Sequence, residues 1–513
     1  MSFIENLAKT VDETYNRSIT ENGAVGYHTT NHALLDMNFK VSSYRNRTNR
    51  EIAQDFLTAF AEDRVLAMKW LFYARDAREG LGERRLFRVC LNTLARQYPE
   101  LTSKVVALVA EYGRYDDLFV LLDTSLKEQV ISLITTTLIS DMKKCNAGEK
   151  NVTLLAKWMP SENASSAESK KLARMFATKL GVSCKEYRKM LSKLRAYIGI
   201  VETAMSQNNW GEIDYERVPS RANLVYNSAF LKHDEVRRRE FLGAVQKGEA
   251  KINASVLFPH DIVHKYSGTR GWFGYSIKPL DAGIEALWKA QPDLVGGNDS
   301  TIVVADGSGS MTSCVGGTSV TALEVANSLA IYFAERCQGE FKNKYITFSS
   351  RPQLVNLTGA NLHDNLQIAL THNEVANTNI KATFDLILRT AVQNKMAQED
   401  LPKNVLVISD MEFDGATCGS RVDSTLFAVI ARDFAAYGYT LPRLIFWNVC
   451  GRTNTIPVKE NKAGVALVSG FSTNIIKMVM GNATDPYQLL VDTLNVERYQ
   501  PIEDAISDWV ANN

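Results

Sequence analysis

Along the first 290 or so residues, apolar side chains recur at helical spacing. Phe56, Phe60, Leu66 and Trp70 mark one run between Asn49 and Leu94, and Leu86, Val89 and Leu94 mark the next. Ser183 followed three residues later by Glu186 is a capping-box pattern. It predicts a helix reaching about Met205, with Tyr187, Leu191, Leu194, Ile198 and Val201 on one face. Further helical patterns cover about 100–140, 221–247 and 281–290. Few stretches alternate like strands, so residues 1–293 read as an all-α, helical-repeat-like region, without a strict internal period.

Past the loop-like stretch 291–300 the pattern changes. Short apolar runs at 301–305, 344–348, 404–409, 444–449 and 465–469 read as strands, and helical patterns at 322–336, 383–395 and 424–437 lie between them. This alternation predicts a Rossmann-like α/β domain over 300–513, a doubly wound parallel sheet covered on both faces. Ligands of such sheets bind outside the carboxyl ends of the strands.

Composition narrows the class only a little. With 45% hydrophobic and 22% charged residues the chain is an ordinary globular one. No apolar run approaches the ~18 residues of a membrane span. The first ten residues carry Glu5 and Lys9 and lack the apolar stretch of a signal peptide, so a cytoplasmic protein is expected. Seven cysteines with no CxxC pair read as reduced thiols. The net charge of +1 conceals a division: residues 1–300 hold 42 Lys/Arg against 36 Asp/Glu, and residues 301–513 hold 16 against 21.

The basic residues concentrate between 170 and 195. Lys170, Lys171, Arg174, Lys179, Lys185, Arg188, Lys189, Lys193 and Arg195 face a single acid, Glu186. On a helix starting at Ser183 several of them share a face. Such a run is either a solvated helix surface or a stripe that binds phosphates with release of counterions. Arg84, Arg85 and Arg88, and the run Arg237, Arg238, Arg239, read as serving solubility.

Asp306 ends the first strand of the α/β part, and Ser308 and Ser310 follow at alternate positions in Asp306-Gly-Ser-Gly-Ser310. One carboxylate and two hydroxyls on a glycine-permitted turn suit a small hard cation, Mg²⁺ or Mn²⁺. Thr378 precedes a helix, and Asp410 ends a second apolar strand. This order resembles the von Willebrand factor A domain with its metal-ion-dependent adhesion site. The resemblance implies that Asp306, Ser308, Ser310, Thr378 and Asp410 surround one Mg²⁺, with Thr383 the alternative threonine. It also implies one coordination position left for a partner's acidic group or for water.

A wider resemblance covers almost the whole chain. YARDAREGLGERRLF (73–87), EYGRYDDL (111–118), LLAKWMPS (154–161), YRKMLSKLR (187–195), PHDIV (259–263), SDMEFD (409–414) and FWNV (446–449) resemble a poorly characterised family joining a helical region to an A-type domain. That architecture is similar to the Ro (TROVE) RNA-binding proteins, to which GRYDDL (113–118) is particularly close. The resemblance implies a non-catalytic ribonucleoprotein component that holds a small structured or misfolded RNA. Lys170, Lys171, Arg174, Lys185, Arg188, Lys189, Lys193 and Arg195 are the expected contacts. The competing expectation is an interaction or assembly adapter, a virion component were the source a phage, whose metal grips a partner's carboxylate.

Other chemistry is not supported. His260 and His264 stand at i, i+4 without the glutamate of HExxH. Ser308 occupies the place of an aspartyl-phosphate enzyme's second aspartate, and Gly317 stands where an EF-hand needs an acid. There is no GxSxG elbow and no GxxxxGK[ST] loop. No enzyme is therefore expected. Trp70, Trp158, Trp210 and Trp272 are expected to be core or interface anchors. The stretch 469–472 either lines the ligand face or merely connects.

Overall fold

Among the described residues, ten short strands punctuate a largely helical chain. In the computed structural model, residues 3, 4, 7, 11 and 14–512 are described, except 272, 273, 297–299, 349, 350, 375, 376, 416–424 and 482. β1 (Arg17–Ile19) and β2 (Val25–Tyr27) form an antiparallel hairpin, as do β3 (Ser267–Gly271) and β4 (Gly274–Ile277). The remaining six are β5 (Thr301–Asp306), β6 (Lys344–Phe348), β7 (Gln353–Asn356), β8 (Asn404–Ser409), β9 (Arg443–Asn448) and β10 (Val465–Ser469). They form one sheet in the order β10-β9-β8-β5-β6-β7.

Every residue of β5 and of β10 is buried, which is why both read as continuous apolar runs rather than alternating ones. Helices Ala322–Arg336, Leu362–Thr371, Ile380–Gln393 and Leu426–Ala436 accompany the sheet. Position 424, the expected start of the last of these, lies outside the described residues, as does Cys418. The expectation of an all-parallel sheet holds for five strands and fails at β7, which pairs antiparallel with β6. β7 is a four-residue edge strand with only Val355 fully buried, so it carries no apolar run.

The chain forms two compact units, and a single cut near residue 293 does not separate them. One comprises Met1–Ala67 with Leu257–Val496, the other Met68–Val256 with Glu497–Asn513. In the sheet-containing unit, the N-terminal hairpin adds backbone to backbone: Tyr27 and Ile456 exchange two N–H···O bonds of 2.9 Å. Gly26 permits this approach, since a Cβ there would meet the Ile456 carbonyl oxygen at 2.4 Å. Helix Ala33–Phe39 buries Leu34, Leu35, Met37 and Phe39 beside β10. Ser42 N donates to Ser469 Oγ at 2.9 Å, and the Arg45 guanidinium lies 4.1 Å from the Phe471 ring. The 469–472 stretch is thus packed against the chain's own N-terminal segment through Ser469 and Phe471.

The helical unit begins within the helix Arg64–Arg75 and includes Arg84–Gln97, Lys127–Ala147, Ala167–Lys179, Cys184–Tyr197, Ser220–His233 and Glu235–Lys247. Ser183 and Glu186 make the expected capping box. The helix nevertheless ends at Tyr197, short of Met205, because Gly199 takes a left-handed φ of 65° and a new helix, Val201–Ser206, follows. In GRYDDL, fully buried Asp117 accepts Arg75 Nε at 2.7 Å and Arg88 Nε at 2.6 Å. The last residues complete this unit: Arg498 pairs with Asp76, Tyr499 packs on Tyr73 and Tyr112, and Ile502 and Ile506 are fully buried.

Two groups of arginines expected to serve solubility are partly internal. Arg238 is fully buried, bonded to Asn223 and Asn227 at 3.1 and 3.0 Å among Tyr215, Phe230 and Phe241. Arg237 braces the carbonyls of Trp210 and Ile213, and Arg88 bridges Asp116 and Asp117. Trp70 is a core residue, Trp158 is half-buried beneath Arg114 and Trp210 stacks on His233; Trp272 lies outside the described residues.

Candidate metal centre

The strand order reverses between β5 and β8, and Asp306 and Asp410 stand at the carboxyl ends of these two neighbours. Asp306 Oδ1 accepts Ser308 N at 2.8 Å, and its Oδ2 accepts Ser409 Oγ at 2.6 Å. The hydroxyls of Ser308 and Ser310 lie 3.1 Å apart, and that of Ser310 also bonds Asp410. Thr378 enters from the segment before helix Ile380–Gln393; its carbonyl accepts Asp414 N at 2.9 Å, which ties it to the loop after Asp410. Thr383 lies inside that helix, fully buried, and among the described residues its hydroxyl has no hydrogen-bond partner.

Asp306, Ser308, Thr378 and Asp410 are all buried, whereas Ser310 is half-exposed and opens the cluster to solvent. Burial, and then the neighbouring Asp410 charge, hold the Asp306 carboxyl well above the usual carboxylate range. Asp410 is raised by burial as well, opposed by Arg452. The donor set is all oxygen, with two buried carboxylates, and this chemistry fits a hard divalent cation.

Four residues of this neighbourhood have roles that the sequence does not announce, Glu412 among them although it lies within SDMEFD (409–414). Arg452 Nη1 donates to Asp410 Oδ2 at 3.0 Å, and its Nε donates to Glu21 Oε2 at 2.8 Å. Buried Glu412 accepts the backbone N–H groups of Arg452, Thr453 and Glu21 at 2.9, 2.7 and 3.0 Å. Asn22 Nδ2 donates to the Glu412 carbonyl at 2.6 Å and to Thr378 Oγ1 at 3.3 Å. Glu21 and Asn22 form the turn of the β1–β2 hairpin, 356 to 431 positions before their partners, so no local pattern could announce them.

The histidine pair is engaged in packing and hydrogen bonds. His260 is buried against Phe258 and Phe471, and His264 bonds Glu324 and Ser319, each at 3.0 Å. The basic stripe belongs to the other unit. Lys171 and Arg174 on Ala167–Lys179, and Lys185, Arg188, Lys189 and Lys193 on Cys184–Tyr197, are exposed, while Lys170 is half-buried. Lys179 pairs with Glu128, and Lys193 donates to Asn146. Arg195 differs: its Nε and Nη2 donate to the carbonyls of Ala156 and Met159, both at 2.8 Å, making it a brace between helices.

Comparison with known proteins adds the following. The chain is 29% identical over 528 aligned positions to the uncharacterized protein L728 of Acanthamoeba polyphaga mimivirus, covering 95% of this chain and 89% of that protein. The crystal structure of the Deinococcus radiodurans RO (RSR) protein aligns with a TM-score of 0.41 at 13% identity, over 82% of this chain and 92% of that one. Residues 300–500 match a domain of unknown function, DUF7788, and residues 20–139 and 123–291 match another, DUF2828. With more than half of its length matched by the latter, the chain belongs to the DUF2828 family and carries a DUF7788 domain after it.

Proposed function

We propose that the protein is a non-catalytic, cytoplasmic RNA-binding protein whose α/β domain holds one Mg²⁺ or Mn²⁺. The observation that carries this reading is the exposed basic face of two consecutive helices. Among the described residues, the side chains of Lys171, Arg174, Lys185 and Arg188 make no hydrogen bond or ion pair with the protein, so their charge is available to phosphates. Asp306, Ser308, Ser310, Thr378 and Asp410 would hold the cation, which when bound offers a Lewis-acidic point for an acidic ligand.

The test is filter binding of a mixed-sequence single-stranded RNA across a salt series. Reversing Lys185, Lys189 and Lys193 to Glu is expected to weaken binding for every sequence and to flatten the log–log salt slope by about 0.7 per lost contact. Unchanged affinity and slope would overturn the assignment of this face. A second reading, a metal-dependent adapter, is favoured by the half-exposed Ser310 at the mouth of the oxygen cluster. EDTA separates the two, because phosphate contacts through Lys and Arg do not need the cation.

A further inference from the structure

Three of the five oxygen-bearing side chains receive hydrogen bonds from side chains outside the set: Asp306 from Ser409, and Asp410 and Thr378 from two donors of one further network. The guanidinium of Arg452 sits on Asp410 Oδ2, and the amide of Asn22 sits on Thr378 Oγ1. A cation held by Asp410 Oδ2 and Thr378 Oγ1 would compete with both donors. Both donors belong to one network: Asn22 is in the hairpin turn, and Arg452 is tied to the adjacent Glu21. Glu412 locks that network by accepting the N–H groups of Glu21 and Arg452 on its two oxygens.

We infer that Arg452 and Asn22 form a latch on the metal centre, so that divalent-cation binding and docking of the Glu21–Asn22 turn oppose each other. This rests on the metal reading above. Electrostatically, Arg452 gives Asp410 a single positive charge, whereas Asp306 has only neutral donors, Ser308 N and Ser409 Oγ. The buried carboxylate pair therefore lacks one compensating charge, which a divalent ion supplies if the guanidinium withdraws. Withdrawal also removes the partner of Glu21. The rest of the hairpin need not move, because Tyr27 with Ile456, Ser18 with Thr455 and Thr20 with the Phe413 carbonyl anchor it independently. Opposition between two sites is reciprocal: whatever factor the turn imposes on the cation, the cation imposes on the turn.

Calorimetric titration of the full chain with Mn²⁺ tests the latch in wild type, Arg452→Ala and Asn22→Ala. Arg452→Ala is expected to bind Mn²⁺ about five-fold or more tightly than wild type, the range usual for coupled sites. Asn22→Ala should shift affinity the same way by less. In wild type, Mn²⁺ should speed hydrogen exchange at the Glu21 and Arg452 amides, which Glu412 protects. Should Arg452→Ala fold poorly without this half-buried guanidinium, Asn22→Ala and the exchange measurement decide the matter. Mn²⁺ binding by wild type with equal or weaker binding by the variants, and no change in exchange, overturns the latch and leaves the metal reading standing. No Mn²⁺ binding by any of the three overturns both.

Discussion

Asp306 and Asp410 are two carboxylates that the fold buries side by side, and their protonation enters the stability of the protein directly. Both have folded-state pKa values above the usual range, by burial first. A raised acid binds more protons in the folded than in the unfolded state, so its contribution falls as pH rises from about 4 toward neutrality. In EDTA the melting temperature of wild type is therefore expected to drop over that window relative to Asp306→Asn, and Mg²⁺ should restore it most at the higher pH. A wild-type profile parallel to that of the variant would contradict this linkage. Asp306, Ser308, Ser310 and Asp410, which hydrogen bonds place in one neighbourhood, stand out in the sequence because each sits at or just after a strand end. Arg452, Glu412, Glu21 and Asn22 do not. Their roles depend on a hairpin turn meeting loops hundreds of positions later, and an isolated Glu or Asn in a turn carries no such information.

Elements were legible in proportion to how much their own sequence decides them. The Cys184–Tyr197 helix announces its start, because Ser183 and Glu186 satisfy each other's backbone N–H groups locally. Its end depends on backbone conformation at Gly199, which apolar periodicity continuing to Val201 obscured. A Cβ at Gly199 would meet nothing within 4 Å, so the left-handed φ alone sets the cost of a side chain. Gly199→Ala is expected to destabilise the helical unit by about 1 kcal/mol, read by urea denaturation. Ser183→Ala should cost a comparable ~1 kcal/mol at the other end. Strands of three or four residues, β1, β2, β4 and β7, fall below what alternation can signal.

For the molecule as a whole, the sequence separated helical from α/β territory correctly but could not assign the ends. Residues 1–67 join the sheet through contacts such as Ser42 with Ser469, and residues 497–513 join the helices through Tyr499, Ile502 and Ile506. Deleting 497–513 removes these three buried side chains from the helical unit. Large-to-small losses of this kind cost about 2–5 kcal/mol each, a sum comparable to the ~5–15 kcal/mol that holds a typical domain folded. The truncated chain is expected to lose protection of residues 68–256 in limited proteolysis, and undiminished protection would refute the role given to the C-terminal helix. The same arrangement has a consequence in time. Ser18 bonds to Thr455 across 437 positions, so on the ribosome, at about 5–20 residues per second, the hairpin waits roughly 20–90 s for the strand neighbourhood that receives it. For most of that interval the nascent chain carries the hairpin segment without the partners that hold it, while the helices of the other unit emerge.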